Sequence, residues 1–319
     1  MFSVSDNISC LSSGIIRDFL YYNALMRISV SIGIMAHNEE HNIGLLLDGL
    51  SAQKLKNVSV KEIIVISSGS TDETNAIVQD CCVKNPKLKL IVEPKRSGKS
   101  HAVNIFLKKA ACDVVVLLNA DLNLTKNVLE KLVSPLTQKT IGMTGCHPVP
   151  VNDASMFMGF AGHLLWDLHH QISLREPKMG EMIAFKKIFK KIPELSAVDE
   201  ANIEPLIRGQ GYKAVYVSDA VVHNKSPETI REFVARRRHI YAGHLATRYE
   251  YSYEVSTLSN IKMLVLVLKN IQFSTAYLFW TPCVIMLELY SRFLGYLDYV
   301  FKLKNHTVWE RTPSTKKLR

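Results

Sequence analysis

From Ile28 to Asn119, short apolar runs rich in β-branched residues alternate with longer stretches in which apolar residues recur at helical spacing. Ile28–Met35, Glu62–Ser67, Lys89–Val92 and Asp113–Asn119 read as buried strands. Behind the first, Ile43, Leu46, Leu47 and Leu50 mark one helix face; behind the third, Val103, Ile105 and Leu107 precede Lys108 and Lys109, which suit a helix C-terminus. Ser70 and Glu73 form an S-x-x-E capping box with Asp72 in the first turn, which predicts a helix start there. Strand–helix alternation of this kind predicts an α/β fold, a mostly parallel sheet flanked by helices.

Beyond Asp121 the pattern loosens. It predicts a helix over Thr125–Leu136, a strand over Ile141–Cys146, an irregular stretch around Pro148 and Pro150, and a mixed region to about His223. From Pro227 the pattern is mostly helical, and Ile261–Tyr299 is strongly apolar. Lys262, Lys269, Asn270 and Gln272 interrupt the first part of that stretch; Pro282, Glu288 and Arg292 interrupt the second. The longest clean run, Tyr277–Leu287, is short of the roughly 20 residues a spanning helix needs. Helices lying in a membrane interface, a re-entrant hairpin and a buried helical subdomain or oligomer contact all fit. The predicted organisation is an N-terminal helical segment (1–27), an α/β domain (28–225) with a nucleotide half (28–122) and an acceptor half (123–225), and a helical, apolar, membrane-associated region with a basic tail (226–319).

Composition narrows the class. In 319 residues, 47% hydrophobic and 21% charged side chains suffice for a substantial core. The six cysteines contain no C-x-x-C pair, so neither a zinc site nor a disulfide framework is indicated and a reducing compartment is expected. The first 27 residues do not read as a signal peptide. The net charge of +10 sits almost wholly in two places, five arginines against Glu232 between Arg231 and Arg248, and six basic residues against Glu310 between Lys302 and Arg319. The remainder is at +1, unlike the basic stripe of a nucleic-acid binder, so no nucleic-acid partner is expected. A basic tail beside apolar helices suits an anionic membrane surface.

Ligands of open α/β sheets bind at the carboxyl ends of the strands, and these ends are polar here. They read His37-Asn38-Glu39-Glu40, Ser67-Ser68-Gly69-Ser70-Thr71-Asp72, Lys95-Arg96-Ser97-Gly98-Lys99 and Asn119-Ala120-Asp121. Taken singly, Asn38, Ser70, Glu39, Glu40 and Asp72 serve as well for helix caps and dipole partners. Gly98-Lys99-Ser100 is not a P-loop, because Glu93 stands where its first glycine would be. His169-His170 has no metal-ligand spacing. Asp121, directly after a fully apolar strand, is placed to hold a hard divalent cation whose shell substrate phosphates complete.

In order and spacing, this set resembles the family 2 glycosyltransferases over about Ser29 to Leu245. The matching residues are Asn38-Glu39-Glu40, Gly69-Ser70-Thr71-Asp72, Gly98-Lys99 with Asn104, Asn119-Ala120-Asp121 for D-x-D, Asp199-Glu200 for the acidic pair before an apolar helix, and Arg236-Arg237-Arg238 for the late arginines. The resemblance implies a GT-A fold and inverting transfer from a nucleotide-diphosphate sugar. It implies donor contacts from Asn38, Glu39, Ser67, Asp72, Lys99, Asn119, Asp121 and Arg238, with Mg²⁺ or Mn²⁺ on Asp121. It also implies a general base at Glu200, or failing it Asp199, and an acceptor side near Gly180, Ala184 and Phe185. Ser67-Ser68 replaces the aspartates that often precede G-S-T-D, Asn119 replaces the first aspartate of D-x-D, and Ala235 to His239 lacks both ends of the processive Q-x-x-R-W pattern. Single-sugar transfer is therefore expected, and the apolar C-terminal region makes a lipid-linked or glycan acceptor the expected one, at the cytoplasmic side of a membrane, for a peripheral, monotopic or integral protein. A catalytically silent nucleotide-sugar or membrane-surface protein is the alternative reading.

Overall fold

The computed structural model describes residues 27–194, 199–251, 265–267, 274–304 and 312–318. The helical segment expected over residues 1–27 lies outside them except for Arg27, as do the side chains of Asp199 and Glu200. In chain order the elements are β1 (Ile28–Ala36), α1 (Ile43–Ser51), β2 (Val58–Ser68), α2 (Thr74–Lys84), β3 (Leu88–Glu93), α3 (Lys99–Lys109), β4 (Val114–Asn119), β5 (Asn123–Leu124) and α4 (Val128–Val133). They continue with β6 (Ile141–Pro150), α5 (Phe157–Ser173), β7 (Met182–Lys186), α6 (Asp199–Arg208), β8 (Lys213–Asn224), α7 (Ile230–Tyr251), α8 (Thr275–Phe301) and a 3-10 turn, Pro313–Lys316.

Among the described residues eight strands form one sheet in the order β3-β2-β1-β4-β7-β6-β8-β5. The first four are parallel, and β7 runs antiparallel to β4, pairing Leu118 with Met182 and Val114 with Lys186. Both faces are covered, which is why the strands are apolar without alternation. Val116 and Leu118 pack with Ile43, Leu46 and Val78 on one side. Val115 and Leu117 pack with Phe106 and Ile203 on the other.

Two elements differ from the sequence pattern for local reasons. The capping box does not form: α2 begins at Thr74, and Asp72 accepts from the Thr74 N–H (3.1 Å), while Ser70 is taken up by Asn38 (3.1 Å) and Ser67 (2.8 Å). The helix expected over Thr125–Leu136 is cut to α4 and a 3-10 turn at Ser134–Thr137, where Pro135 cannot donate the next helical bond.

Helices α5, α7 and α8 build a third layer around Leu164, Leu168, Phe233, Tyr277 and Val284. On α8 the usual polarity is inverted. Ser291, Arg292 and Asp298 are buried against the protein, whereas Phe279, Met286 and Phe293 are 75%, 66% and 58% exposed. The inward polar groups meet α7: Arg237 forks onto Glu288 (2.6 and 2.7 Å), Arg292 joins the same carboxylate (2.8 Å), and Arg238 forks onto Asp298. No helix among the described residues is long and apolar enough to cross a membrane. The apolar stretch from Ile261 to Gln272 lies outside the described residues apart from 265–267.

Burial pushes the Glu288 carboxyl up, but Arg237 and then Arg292 outweigh it and hold it at about 2. Its folded pKa is below the unfolded value, so its stabilisation is present above about pH 4.5 and is lost as pH falls towards 2. Glu288→Gln should therefore cost about 3 kcal/mol at pH 7, because it leaves two arginines without their counter-charge, and that deficit should shrink on acidification. Urea unfolding of both chains at pH 7 and pH 3 checks this; equal stability at pH 7 would remove the clamp.

Candidate functional site

The loops after β1 and β2 are zipped together by side chain to backbone bonds. The Thr71 N–H donates to Asn38 Oδ1 (2.8 Å), Glu39 N–H to Thr74 Oγ1 (2.7 Å), Glu40 N–H to Asp72 (3.2 Å) and Glu73 N–H to Glu40 (3.1 Å). Asn38 takes a left-handed backbone, φ 54°, to enter this arrangement. At Gly69, φ 59°, an added Cβ would lie 2.7 Å from the Arg96 nitrogen, so glycine lets the loop after β3 close against the loop after β2. Ser97 N–H completes that closure on Ser68 Oγ (3.3 Å).

The result is a cleft of about 170 Å³ at the carboxyl ends of β1, β2 and β4. Glu39, Ser68, Arg96, Lys99, Asn119, Asp121 and Arg236 line it, together with Thr312, Thr315 and Lys316 from the C-terminal turn. Glu39 is 4% exposed, and burial followed by repulsion from Asp121 pushes its carboxyl up to about 7, even though Lys316 lies against it. Asp121 and Asn119, with Glu39 nearby, bring side-chain oxygens to the cleft, the ligand type that Mg²⁺ and Mn²⁺ take. Among the described residues no three His, Cys, Asp or Glu side chains gather as a metal cluster, so substrate oxygens would have to complete the coordination shell.

Glu181 is the site residue that sequence reasoning misses. Because β7 is antiparallel, its start meets the end of β4, so a carboxylate just before an apolar strand arrives beside one just after another. Glu181 accepts from Asn119 Nδ2 (2.6 Å), Asn224 Nδ2 (3.2 Å) and Arg236 (3.1 Å), and its backbone carbonyl accepts from Asn119 N–H (3.2 Å). Its positive φ of 45°, rare for a non-glycine residue, turns it into this junction. The signal available in the sequence was Gly180-Glu181 directly ahead of Met182-Ile183-Ala184-Phe185.

The expected donor residues separate into two groups. Glu39, Lys99, Asn119 and Asp121 line the cleft. Asn38, Ser67 and Asp72 do not; they hold the loops, with Ser67 donating to Ser70 and Asp72 at the start of α2. Arg238 is turned away from the cleft and onto Asp298, and the arginine that reaches the cleft is Arg236, about 200° away on the same helix. The expected acceptor side needs a similar correction. Ala184 and Phe185 are fully buried in the two opposite cores because they sit mid-strand between β4 and β6, and Gly180 lies at the β7 start with its carbonyl accepting from Cys146 Sγ (3.6 Å). Asp199 and Glu200 open α6. Asn104 clasps Ile192 by two bonds (2.8 and 2.9 Å), fixing the chain upstream of them.

Residues 31–196 match the glycosyl transferase family 2. An uncharacterized glycosyltransferase of Haemophilus influenzae is 30% identical over 115 residues, covering 36% of this chain and 45% of that protein. A beta-monoglucosyldiacylglycerol synthase of Synechocystis is 28% identical over 130 residues, 40% of this chain and 27% of the synthase. The match thus spans less than half the length of either relative. In three dimensions the chain is similar to a mannosyltransferase of Pyrobaculum calidifontis, solved with GDP-Man and Mn²⁺, with a TM-score of 0.63 and 19% identity over 93% of this chain and 98% of the other. That likeness supports the same fold, and the match over half of the sequence establishes the family: the chain belongs to the glycosyl transferase family 2.

Proposed function

We propose that the chain is an inverting glycosyltransferase that moves one sugar from a nucleotide-diphosphate sugar to a hydroxyl of a lipid-linked or glycan acceptor. The observation that carries this reading is the cleft itself, in which Asp121, Asn119 and Glu39 face Lys99, Arg96 and Arg236 at the carboxyl edge of the sheet. Carboxylates alone would repel a diphosphate, and cations alone would not recruit a metal; this edge carries both.

Bound at Asp121, Mg²⁺ or Mn²⁺ would neutralise charge on the leaving diphosphate. Arg96, Lys99 and Arg236 hold the diphosphate oxygens and stabilise the charge that grows as the anomeric carbon–oxygen bond breaks. Glu200, or failing it Asp199, takes the proton of the acceptor hydroxyl as its oxygen bonds to the anomeric carbon from the opposite face, and the nucleoside diphosphate departs with the electron pair. Glu181 keeps Asn119 and Arg236 in place throughout.

The exposed apolar face of α8, with Lys302 and Lys304 at its C-terminal end, supports attachment to the cytoplasmic surface of a membrane, where a lipid-linked acceptor resides. A relative named for making a glucosylated diacylglycerol is in keeping with such an acceptor.

Offered a panel of UDP- and GDP-sugars with Mn²⁺, the purified chain should release nucleoside diphosphate. Asp121→Ala should lose metal-dependent donor binding, whereas Glu200→Gln should keep donor affinity and lose transfer by about 10² to 10⁴-fold. Undiminished transfer by Glu200→Gln would move the base to Asp199, and failure to bind any donor would overturn the enzymatic reading. On α8, the double variant Phe279→Ser/Phe293→Ser should float poorly with vesicles containing anionic lipid while melting like the parent; undiminished flotation would place membrane contact elsewhere.

A further inference from the structure

The sequence pattern reads the basic tail as a lipid-surface element, yet its end folds back onto the site. Thr312–Leu318 crosses from the start of α7 to the loop after β1. At one end Ser314 Oγ donates to Glu232 and accepts from the Glu228 N–H (3.0 Å), and the Ser314 N–H donates to Glu232 (3.2 Å). At the other, the Leu318 N–H donates to Asn42 Oδ1 (3.2 Å). Between these ties Thr315 is 2% exposed, and Lys316 extends into the cleft to pair with Glu39 and approach the His37 carbonyl (3.4 Å).

Two features separate Lys316 from a tail lysine that merely finds a carboxylate. The ties at Ser314 and Leu318 fasten the segment on either side of Lys316, so its side chain is delivered into the cleft. Among the described residues the cleft lining also carries four cationic side chains, Arg96, Lys99, Arg236 and Lys316, against two carboxylates, Glu39 and Asp121, with Glu181 behind Arg236. A concave site with surplus positive charge is matched by an anion, and a nucleoside diphosphate supplies one of the right size and charge.

We propose that the C-terminal segment Thr312–Leu318 is part of the donor site, and that Lys316 contacts the diphosphate of the bound donor across the cleft from Lys99 and Arg236. This rests on the nucleotide-diphosphate donor reading above. It makes Lys316 a donor-binding residue whose counter-charge when no donor is bound is Glu39.

The test is calorimetric titration of UDP and GDP, each with Mn²⁺, and of uridine and guanosine as phosphate-free controls. The chains compared are the full parent, Lys316→Gln, Lys316→Arg and a chain stopped after Arg311. Lys316→Gln should weaken diphosphate binding by about tenfold, leave any nucleoside binding unchanged, and be rescued in large part by Lys316→Arg. The stopped chain should lose at least as much; should it fail to fold, the point variants decide. Diphosphate binding as tight as or tighter than the parent's in Lys316→Gln would overturn the proposal, a tighter value marking the tail as a plug. A parent chain that binds neither diphosphate would instead overturn the donor reading, and this proposal with it.

Discussion

A buried carboxylate needs partners, since stripping water from an unmatched charge costs several kcal/mol, and at Glu181 the matching organises the site. Its oxygens are shared by Asn119 at the end of β4, Asn224 at the end of β8 and Arg236 on α7. One side chain thus ties two strand ends of the sheet to the helical layer. The reversal of β7 makes this possible: in an all-parallel sheet the residue before a strand would lie at the opposite edge from the ligand cleft.

The arginine triplet shows how helix geometry divides one charge cluster among separate tasks. Successive residues on α7 are turned by about 100°, so Arg236, Arg237 and Arg238 cannot share a direction. Arg237 and Arg238 are spent on Glu288 and Asp298 of α8, and Arg236 is presented to the cleft beside Glu181. The polar residues that interrupt the apolar stretch of α8 are thereby accounted for. They face the protein because arginines wait there, which leaves the apolar side chains to face outward.

Much of the fold was legible because strands covered on both faces have nothing to alternate: the four parallel strands and the helices after β1 and β3 stand within a few residues of the pattern. The boundaries that moved did so through contacts no local pattern encodes, as when Asn38, 32 residues upstream, takes the Ser70 hydroxyl that would have capped α2. At the site, strand-end position found Glu39, Lys99, Asn119 and Asp121. It also swept in Asn38, Ser67 and Asp72, since a loop tie and a ligand contact draw on the same short polar residues. Glu181 escaped because its importance depends on strand direction, and Arg236 was passed over for Arg238 because a run of three arginines does not disclose helical phase.

The charge balance takes a different form once these positions are known. The two basic clusters that hold nearly all of the net +10 lie far apart in the chain, and by sequence one suits a diphosphate and the other a lipid surface. Arg236 from the first and Lys316 from the second line the same cleft, on elements joined through Ser314 and Glu232. Glu39 shows why such convergence is useful. Burial and then Asp121 raise its carboxyl, and the cation that the tail brings offsets only part of this, leaving it at about 7. Both arriving cations reach a sheet edge whose own charges are mixed, where a carboxylate for a metal and a lysine for a phosphate can coexist only if each keeps a counter-charge before the ligand arrives.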